Sequence, residues 1–415
     1  MHYIRLLRAP KLTYQGDKKY PWTLNVVLTV TTDLGDSFLV DDEPVKLKVT
    51  AGWEQRTVDK NQEPMKVAAE KVLRWSPGMR VLKADIPAQH LAGQSFVPNT
   101  ASGPMRVLIR AAGSKTGELA ADIALAGAGG SCGKIMPLWA DVHTPASADV
   151  PTTCVRRILR SQDMSEPYIE IEEDIGESIA RHIWDAGLVA VSRLWLLNGK
   201  HSNSTDEHPI SMSNFHALLF DRGPINILEL GCGVGILGIG LAQMMAREKG
   251  TLEEPGTILM TDLPEAEERA SANIDRLARV GTAPIRPEYE NLDWDDGREG
   301  NFGPLVKSRF WHLVILSDCT YNVDALPALV DTWTAIHKQN LSKSPDGKAR
   351  TRVAVAMKKR HSDEERLWQL VGEEGWSLDE ESVTELPVLG EENQRIFLYL
   401  FESQRTDFEN RLTQS

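Results

Sequence analysis

The stretch Ile227-Leu228-Glu229-Leu230-Gly231-Cys232-Gly233-Val234-Gly235-Ile236-Leu237-Gly238-Ile239-Gly240 decides the fold. It begins in a short, mostly apolar run, Ile225 to Leu230, of strand length and strand composition. Gly231, Gly233 and Gly235 follow at every second position, and a helical pattern runs from Ile236 to about Ala246. Strand, glycine turn and helix make half of a nucleotide-binding βαβ unit. Glycines at this spacing let the backbone bend sharply and approach a ligand that a Cβ would hold off.

Two cofactors suit such a turn. Gly233, Gly235 and Gly238 satisfy the dinucleotide pattern G-x-G-x-x-G, which seats a pyrophosphate at the helix N-terminus. Gly231 and Glu229 extend it to E-x-G-x-G-x-G. That longer pattern resembles motif I of the class I S-adenosylmethionine-dependent methyltransferases. The resemblance implies a backbone turn packed on the methionine part of the cofactor, with the acid close by and no phosphate bound. A glycine-rich turn without a ligand is the plain alternative.

The chain has 415 residues, enough for two domains. Its net charge of −13, from 46 Lys+Arg against 59 Asp+Glu, repels nucleic acid and membrane headgroups and favours basic partners. The cysteines Cys132, Cys154, Cys232 and Cys319 are scattered without a C-x-x-C pair, so neither a zinc site nor a disulfide framework is expected. A reducing, cytoplasmic setting follows. The N-terminal apolar run is short and interrupted by Arg5 and Arg8, unlike a signal peptide. Ile225–Ala246 carries only Glu229 as a charge, yet its glycine cluster suits a buried strand–turn–helix better than a bilayer helix.

Residues 1–150 read as a β-rich domain, a sandwich or barrel. Leu24–Thr32, Val45–Val49 and Met105–Arg110 are its strands, Asp33–Asp36 and Asp41–Pro44 its turns. A short helix is expected near Met65–Leu73, and Ala124–Gly130 reads as a loop. The Pro/Ser/Thr/Ala-rich Val142–Thr153 reads as the linker to a second domain, residues 160–405. There Ile175, Ile179, Ile183, Ala186, Ala190, Leu194 and Leu197 predict one long helix, Glu172–Leu197, followed by a polar loop at His201–Pro209. From Ile225 on, strands and helices alternate, which implies a parallel sheet covered on both faces. Thr257–Thr261, Ile285–Tyr289, Phe310–Ser317, Arg352–Met357, Trp376–Val383 and Ile396–Phe401 are its further strands, the last two close enough for an antiparallel pair.

In open α/β sheets, ligands bind beyond the carboxyl ends of the strands, where strand order reverses. The glycine turn and Asp262 should meet there. Asp262 either accepts the ribose hydroxyls or caps the helix that Pro264 opens. Trp294, in Asn291-Leu292-Asp293-Trp294, offers a flat indole to a purine or fills the core. Asn291, Asp293 and Asp295 lack the Gly and Glu of a calcium loop, so no metal is expected. Cys319 has no evident His–acid partner set and reads as a packing residue. The basic run Lys358-Lys359-Arg360-His361 reads as a solvated edge, an anchor for Asp363 or Glu364, or a phosphate contact.

Three further elements narrow the resemblance. Ile183-Trp184-Asp185-Ala186-Gly187, Leu292-Asp293-Trp294 and Ser317-Asp318-Cys319-Thr320-Tyr321-Asn322 are similar to the W-x-x-(A/G), L-D-W and D-x-x-Y elements of seven-strand protein-lysine methyltransferases related to nicotinamide N-methyltransferase. The likeness covers about residues 165–403. It implies an α/β, Rossmann-like seven-strand methyltransferase sheet behind the N-terminal β-rich domain. It places Trp184, Glu229, Gly231, Gly233, Gly235, Asp262, Leu292, Trp294, Ser317 and Asp318 at S-adenosylmethionine. It gives Asp318 the task of receiving the target amine and Tyr321 that of walling its channel. Trp184 as core filler and Asp318 as the cap of the helix that follows are the structural alternatives.

Methyl transfer from a sulfonium needs no metal, but it needs a neutral amine. A lysine of pKa about 10.4 must be deprotonated at a cost of about 4.6 kcal/mol at pH 7. A carboxylate at Asp318 aims the ammonium yet favours its charged form. On this reading, Asp318→Ala or Tyr321→Ala stops turnover and leaves cofactor binding. The expected activity is methylation of a lysine on a protein by a monomeric enzyme. The β-rich extension resembles fungal members acting on translation elongation factors. A nicotinamide-type small-molecule N-methyltransferase and a cofactor-binding adaptor are the alternatives.

Overall fold

The computed structural model describes the chain except residue 18 and residues 55–64, 90–103, 128–132, 145–151, 162–165, 177–180, 199–211, 222–223, 246–255, 281–284, 345–349 and 404–415. His201–Pro209 and Cys132 therefore lie outside the described residues. Two compact units emerge: Met1–His182 with Glu385–Gln394, and Ile183–Thr384 with Arg395–Ser415. None of the described helices is long and apolar enough to cross a membrane.

The first unit is built of two sheets. One orders Lys11–Tyr14, Trp22–Thr31, His2–Leu6 and Ile135–Met136, with Leu82–Ala88 also paired to Trp22–Thr31. The other orders Tyr168–Asp174, Thr153–Leu159, Leu138–Asp141, Met105–Ala111, Val45–Glu54 and Met65–Trp75. Leu24, Val26, Leu28 and Val30 from the first sheet share one buried cluster with Leu47, Val49, Val107 and Ile109 from the second. This is sandwich packing, in which alternate side chains face inward.

Three expectations are corrected here. Met65–Trp75 is a strand rather than a helix, paired antiparallel along Val45–Glu54 with a bulge between Ala51 and Gly52. Its helix-favouring Ala68-Ala69-Glu70-Lys71 yields to cross-strand pairing, as propensities do when tertiary contacts compete. The long helix Glu172–Leu197 is also two elements. Tyr168–Asp174 pairs antiparallel with Thr153–Leu159 and buries Ile169 and Ile171 at the two-residue period of a strand. Across that ladder Arg156 donates to Glu173 at 2.7 Å, both side chains buried. The stretch around Val142–Thr153 is accordingly no domain linker: Leu138–Asp141 and Thr153–Leu159 are neighbours in one sheet, and the units divide at His182–Ile183.

The second unit opens with helix α1 (Asp185–Asn198) and carries seven strands: β1 (Ile227–Leu230), β2 (Ile258–Asp262), β3 (Glu288–Asn291), β4 (Leu313–Ser317), β5 (Arg352–Lys358), β6 (Trp376–Leu386) and β7 (Gln394–Ser403). Their order is β3-β2-β1-β4-β5-β7-β6. The first five pair parallel, and β7 runs antiparallel to β5. Helices α2 (Ile236–Met245), α3 (Pro264–Val280) and α4 (Leu326–Lys343) follow β1, β2 and β4. Strand order reverses between β1 and β4. Beyond their carboxyl ends lies the crevice where open sheets of this kind bind ligands.

Candidate active site

The glycine turn stands at the tip of β1. Gly231, Gly233 and Gly235 all have positive φ, 63°, 54° and 81°, which L side chains adopt at a cost. A Cβ on Gly231 would lie 2.5 Å from Cys319 Sγ and 3.2 Å from Trp294 Cζ2. A Cβ on Gly235 would meet the end of the Met260 side chain. Glu229 is buried beneath the turn, where its carboxyl accepts the Gly238 N–H at 3.0 Å in the first turn of α2. Burial pushes its pKa up to about 8, so the group is largely protonated at neutral pH. Glu229 therefore holds the turn to α2.

Asp262 ends β2. One carboxylate oxygen accepts the Gly233 N–H at 2.7 Å, and the other accepts the Leu263 N–H at 2.7 Å. Burial raises its pKa, and the two backbone donors oppose that rise. The side chain is thus tied to the glycine turn, with lone pairs to spare for hydroxyl donors. At the tip of β3 the Leu292 N–H reaches the Asp262 carbonyl at 2.9 Å, and Leu292 is buried. Asp293 caps the short helix Trp294–Arg298. The half-buried Trp294 has its indole edge against Gly231, so it flanks the turn as well as the core.

Beyond β4 the backbone is strained. Asp318 has φ 53°, the one positive value among the described non-glycine residues. Its side chain is 5% exposed. Oδ2 accepts the Ala186 and Gly187 N–H groups at 2.8 and 3.1 Å, and Oδ1 accepts Arg360 at 3.1 Å. The carboxylate thus caps a helix, but α1 rather than the one that follows it in sequence. An amine that reached Asp318 would therefore share the carboxylate with Arg360 and the start of α1. Tyr321, by contrast, is half exposed, and burial of the rest raises its phenol pKa, so the hydroxyl keeps its proton. Ser317 Oγ is 2.9 Å from where a Cβ on Gly187 would stand, which brings α1 close to β4. Cys319 is buried with its thiol directed at the Leu230, Gly231 and Ser317 carbonyls, and desolvation raises its pKa far above the ordinary range. It is a packing residue.

Trp184 precedes α1 instead of lying inside a longer helix, and the Arg360 guanidinium stacks on its ring at 5.1 Å. Arg360 was not singled out from sequence beyond its basic run. Nor was the buried pair of Lys358 and Asp185, 2.9 Å apart with 6% and 0% of their side chains exposed. Glu364 completes the set, accepting from Thr320 Oγ1 at 3.0 Å and from the Arg360 and His361 N–H groups at 2.8 and 3.0 Å. The run is thus divided: Lys359 and His361 are exposed, Lys358 and Arg360 brace β5 against α1 and the tip of β4, and the anchoring to Glu364 expected as one alternative is present. Only its period-free clustering of Lys and Arg at a strand end hinted at this.

The glycine cradle, the Asp262 carboxylate beside it and the Trp294 indole fit an adenosine joined at its 5′ carbon to an amino acid. The strand order and this site define a class I methyltransferase whose cofactor is S-adenosylmethionine. A family model described as lysine methyltransferase matches residues 163–374, just over half of the chain. The chain belongs to that family. It is also similar to a UPF0665 family protein of Schizosaccharomyces pombe, 25% identical over 370 residues that cover 88% of this chain and 90% of the relative. Solved structures that it resembles include a putative RNA methyltransferase of Pyrococcus horikoshii (12% identity, 56% of this chain and 92% of the other, TM-score 0.33). Another is a SAM-dependent methyltransferase of Methanosarcina mazei (13% identity, 48% and 98%, TM-score 0.31). Among the described residues no cluster of three or more His, Cys, Asp or Glu could hold a metal ion.

Proposed function

We propose that this chain methylates the side-chain amine of a lysine on a protein substrate. The observation that carries the reading is Tyr321, half exposed four residues beyond the end of β4, on the same strand-tip loop as Asp318 and Cys319. Cys319 in turn lies against the glycine turn, so a phenol that is open to solvent stands near the expected cofactor. S-adenosylmethionine, when bound, supplies a methyl group on a sulfonium that is already a good leaving group. The protein's own residues bind and orient. Gly231, Gly233 and Gly235 take the methionine portion, Asp262 accepts from the ribose, and Leu292 and Trp294 wall the adenine. Trp184, Ser317 and Asp318 close the α1 side, and the protonated Tyr321 hydroxyl lines the amine's path.

Holding the amine in line and stripping its water supplies most of the rate. The family's description favours lysine, and the net charge of −13 favours a basic protein surface. The resemblance seen in the sequence makes a translation elongation factor in the cytoplasm the first candidate. The test is incubation with methyl-labelled S-adenosylmethionine and cell lysate, followed by acid hydrolysis of the labelled proteins. Label recovered as methyllysine in a discrete protein band supports the reading. Label confined to small molecules makes the enzyme a small-molecule N-methyltransferase, and no label at all makes the chain a binding protein. In Tyr321→Ala transfer should be lost while binding of the demethylated product, S-adenosylhomocysteine, stays within about threefold. In Asp318→Ala both should suffer, because the start of α1 hangs on that carboxylate.

A further inference from the structure

Asp318 and Arg360 do something for the chemistry that neither motif nor family name suggests. An unpaired carboxylate at the mouth of an amine site would stabilise the ammonium form, the form that cannot accept a methyl group. Here that carboxylate is spoken for. Two α1 N–H groups bond Oδ2, and Arg360 bonds Oδ1 at 3.1 Å. Arg360 in turn is 7% exposed, lies over the Trp184 ring, and has its backbone N–H held by Glu364. Among the described residues, neighbouring charged groups have partners of their own. Lys358 faces Asp185, Lys359 faces Glu365, and Glu364 takes Thr320 and the His361 N–H. Across the crevice Glu229 is held largely protonated by burial, Asp262 is tied to the glycine turn, and the buried Cys319 and the Tyr321 phenol stay neutral.

We propose that Arg360 is a positioning residue that cancels the charge of Asp318, so that the amine entering beside Tyr321 meets an electrically balanced wall and enters neutral, having lost its proton to bulk water. The inference rests on the lysine-amine reading above. It deepens that reading by assigning a charge-balancing role to a residue outside every recognised motif. It also explains why a carboxylate seated at the tip of β4 does not hold the substrate in its unreactive form.

The test uses two ligands that differ at one place. S-adenosylhomocysteine has a bare sulfur where sinefungin carries an amine-bearing carbon, so the ratio of their affinities isolates the amine. Calorimetry on the full chain at pH 6, 7, 8, 9 and 10 gives this ratio. In Arg360→Gln the uncompensated carboxylate should favour sinefungin over S-adenosylhomocysteine by about tenfold more than wild type at pH 7, the size of one unit charge at short range in a partly solvated site. That gain should fade as pH approaches the amine's own pKa. Arg360→Lys should keep the wild-type ratio. Asp318→Asn should move the ratio the other way, and Arg360→Gln with Asp318→Asn should return it towards wild type. An unchanged ratio at every pH in Arg360→Gln, with S-adenosylhomocysteine still bound, overturns the charge-balancing role alone. Failure of the wild-type chain to bind S-adenosylhomocysteine overturns the methyltransferase reading beneath it. Circular dichroism of each variant separates these results from misfolding.

Discussion

Gly231→Ala should cripple the site, and the structure says how. The residue sits at φ 63°, where an L side chain costs about 1–2 kcal/mol relative to glycine. Its new Cβ would lie 2.5 Å from Cys319 Sγ and 3.2 Å from Trp294 Cζ2, so the thiol or the indole must shift. Overpacking of this kind costs about 1–3 kcal/mol. The two terms together amount to about 2–5 kcal/mol. Cys319→Ala removes the sulfur, so the double variant should recover most of the second term and none of the first. Denaturant unfolding of the four proteins gives that cycle directly, and calorimetry with S-adenosylhomocysteine follows the site. Binding should fall at least tenfold in Gly231→Ala and partly return in the double variant. A Gly231→Ala protein as stable and as tight-binding as wild type would refute the close packing of turn, thiol and indole. A double variant no better than the single would refute the steric half of the account.

Other outcomes follow from the same contacts. Trp294→Ala should weaken S-adenosylhomocysteine by about 1–3 kcal/mol, the range of base–aromatic stacking, and should also lower the unfolding midpoint because the ring packs on the core; calorimetry and denaturant unfolding check it. Asp185→Ala removes the carboxylate that faces the buried Lys358 ammonium and should cost about 3–5 kcal/mol in denaturant unfolding, while replacing both partners with apolar residues should cost clearly less. Glu229 has its pKa raised from 4.5 to about 8, so between those values the folded chain keeps a proton that the unfolded chain has lost. Stability should therefore fall as pH rises through that window, and Glu229→Gln should flatten the fall.

Much of the second unit was legible in the sequence because its signals are local. The glycines at 231, 233 and 235 need positive φ, the runs that become β4 and β5 are apolar along their length, and Asp262 stands at a strand end. What stayed hidden is long-range. Asp185 with Lys358, Trp184 with Arg360, and Ala186 with Asp318 join segments more than a hundred residues apart, and no periodicity marks such partners. For Asp318 the sequence offers a role at the amine or, as the structural alternative, a cap on the helix that follows; it does not show the helix α1 whose N–H groups the carboxylate accepts. The spacing of Ile175, Ile179 and Ile183 continues the apolar period of Ala186, Ala190 and Leu194 backward, so the expected helix starts at Glu172, inside a strand, where the observed helix starts at Asp185. Met65–Trp75 was misjudged for a related reason: alanine, glutamate and lysine favour helix locally, and only pairing with Val45–Glu54 reverses that preference.

The most direct measurement is a crystal structure of the chain with S-adenosylhomocysteine. The ribose should lie within hydrogen-bonding distance of Asp262, the adenine against Trp294, and the sulfur should face the side chain of Tyr321. An adenosine bound elsewhere, or a dinucleotide filling the crevice in its place, would contradict the account.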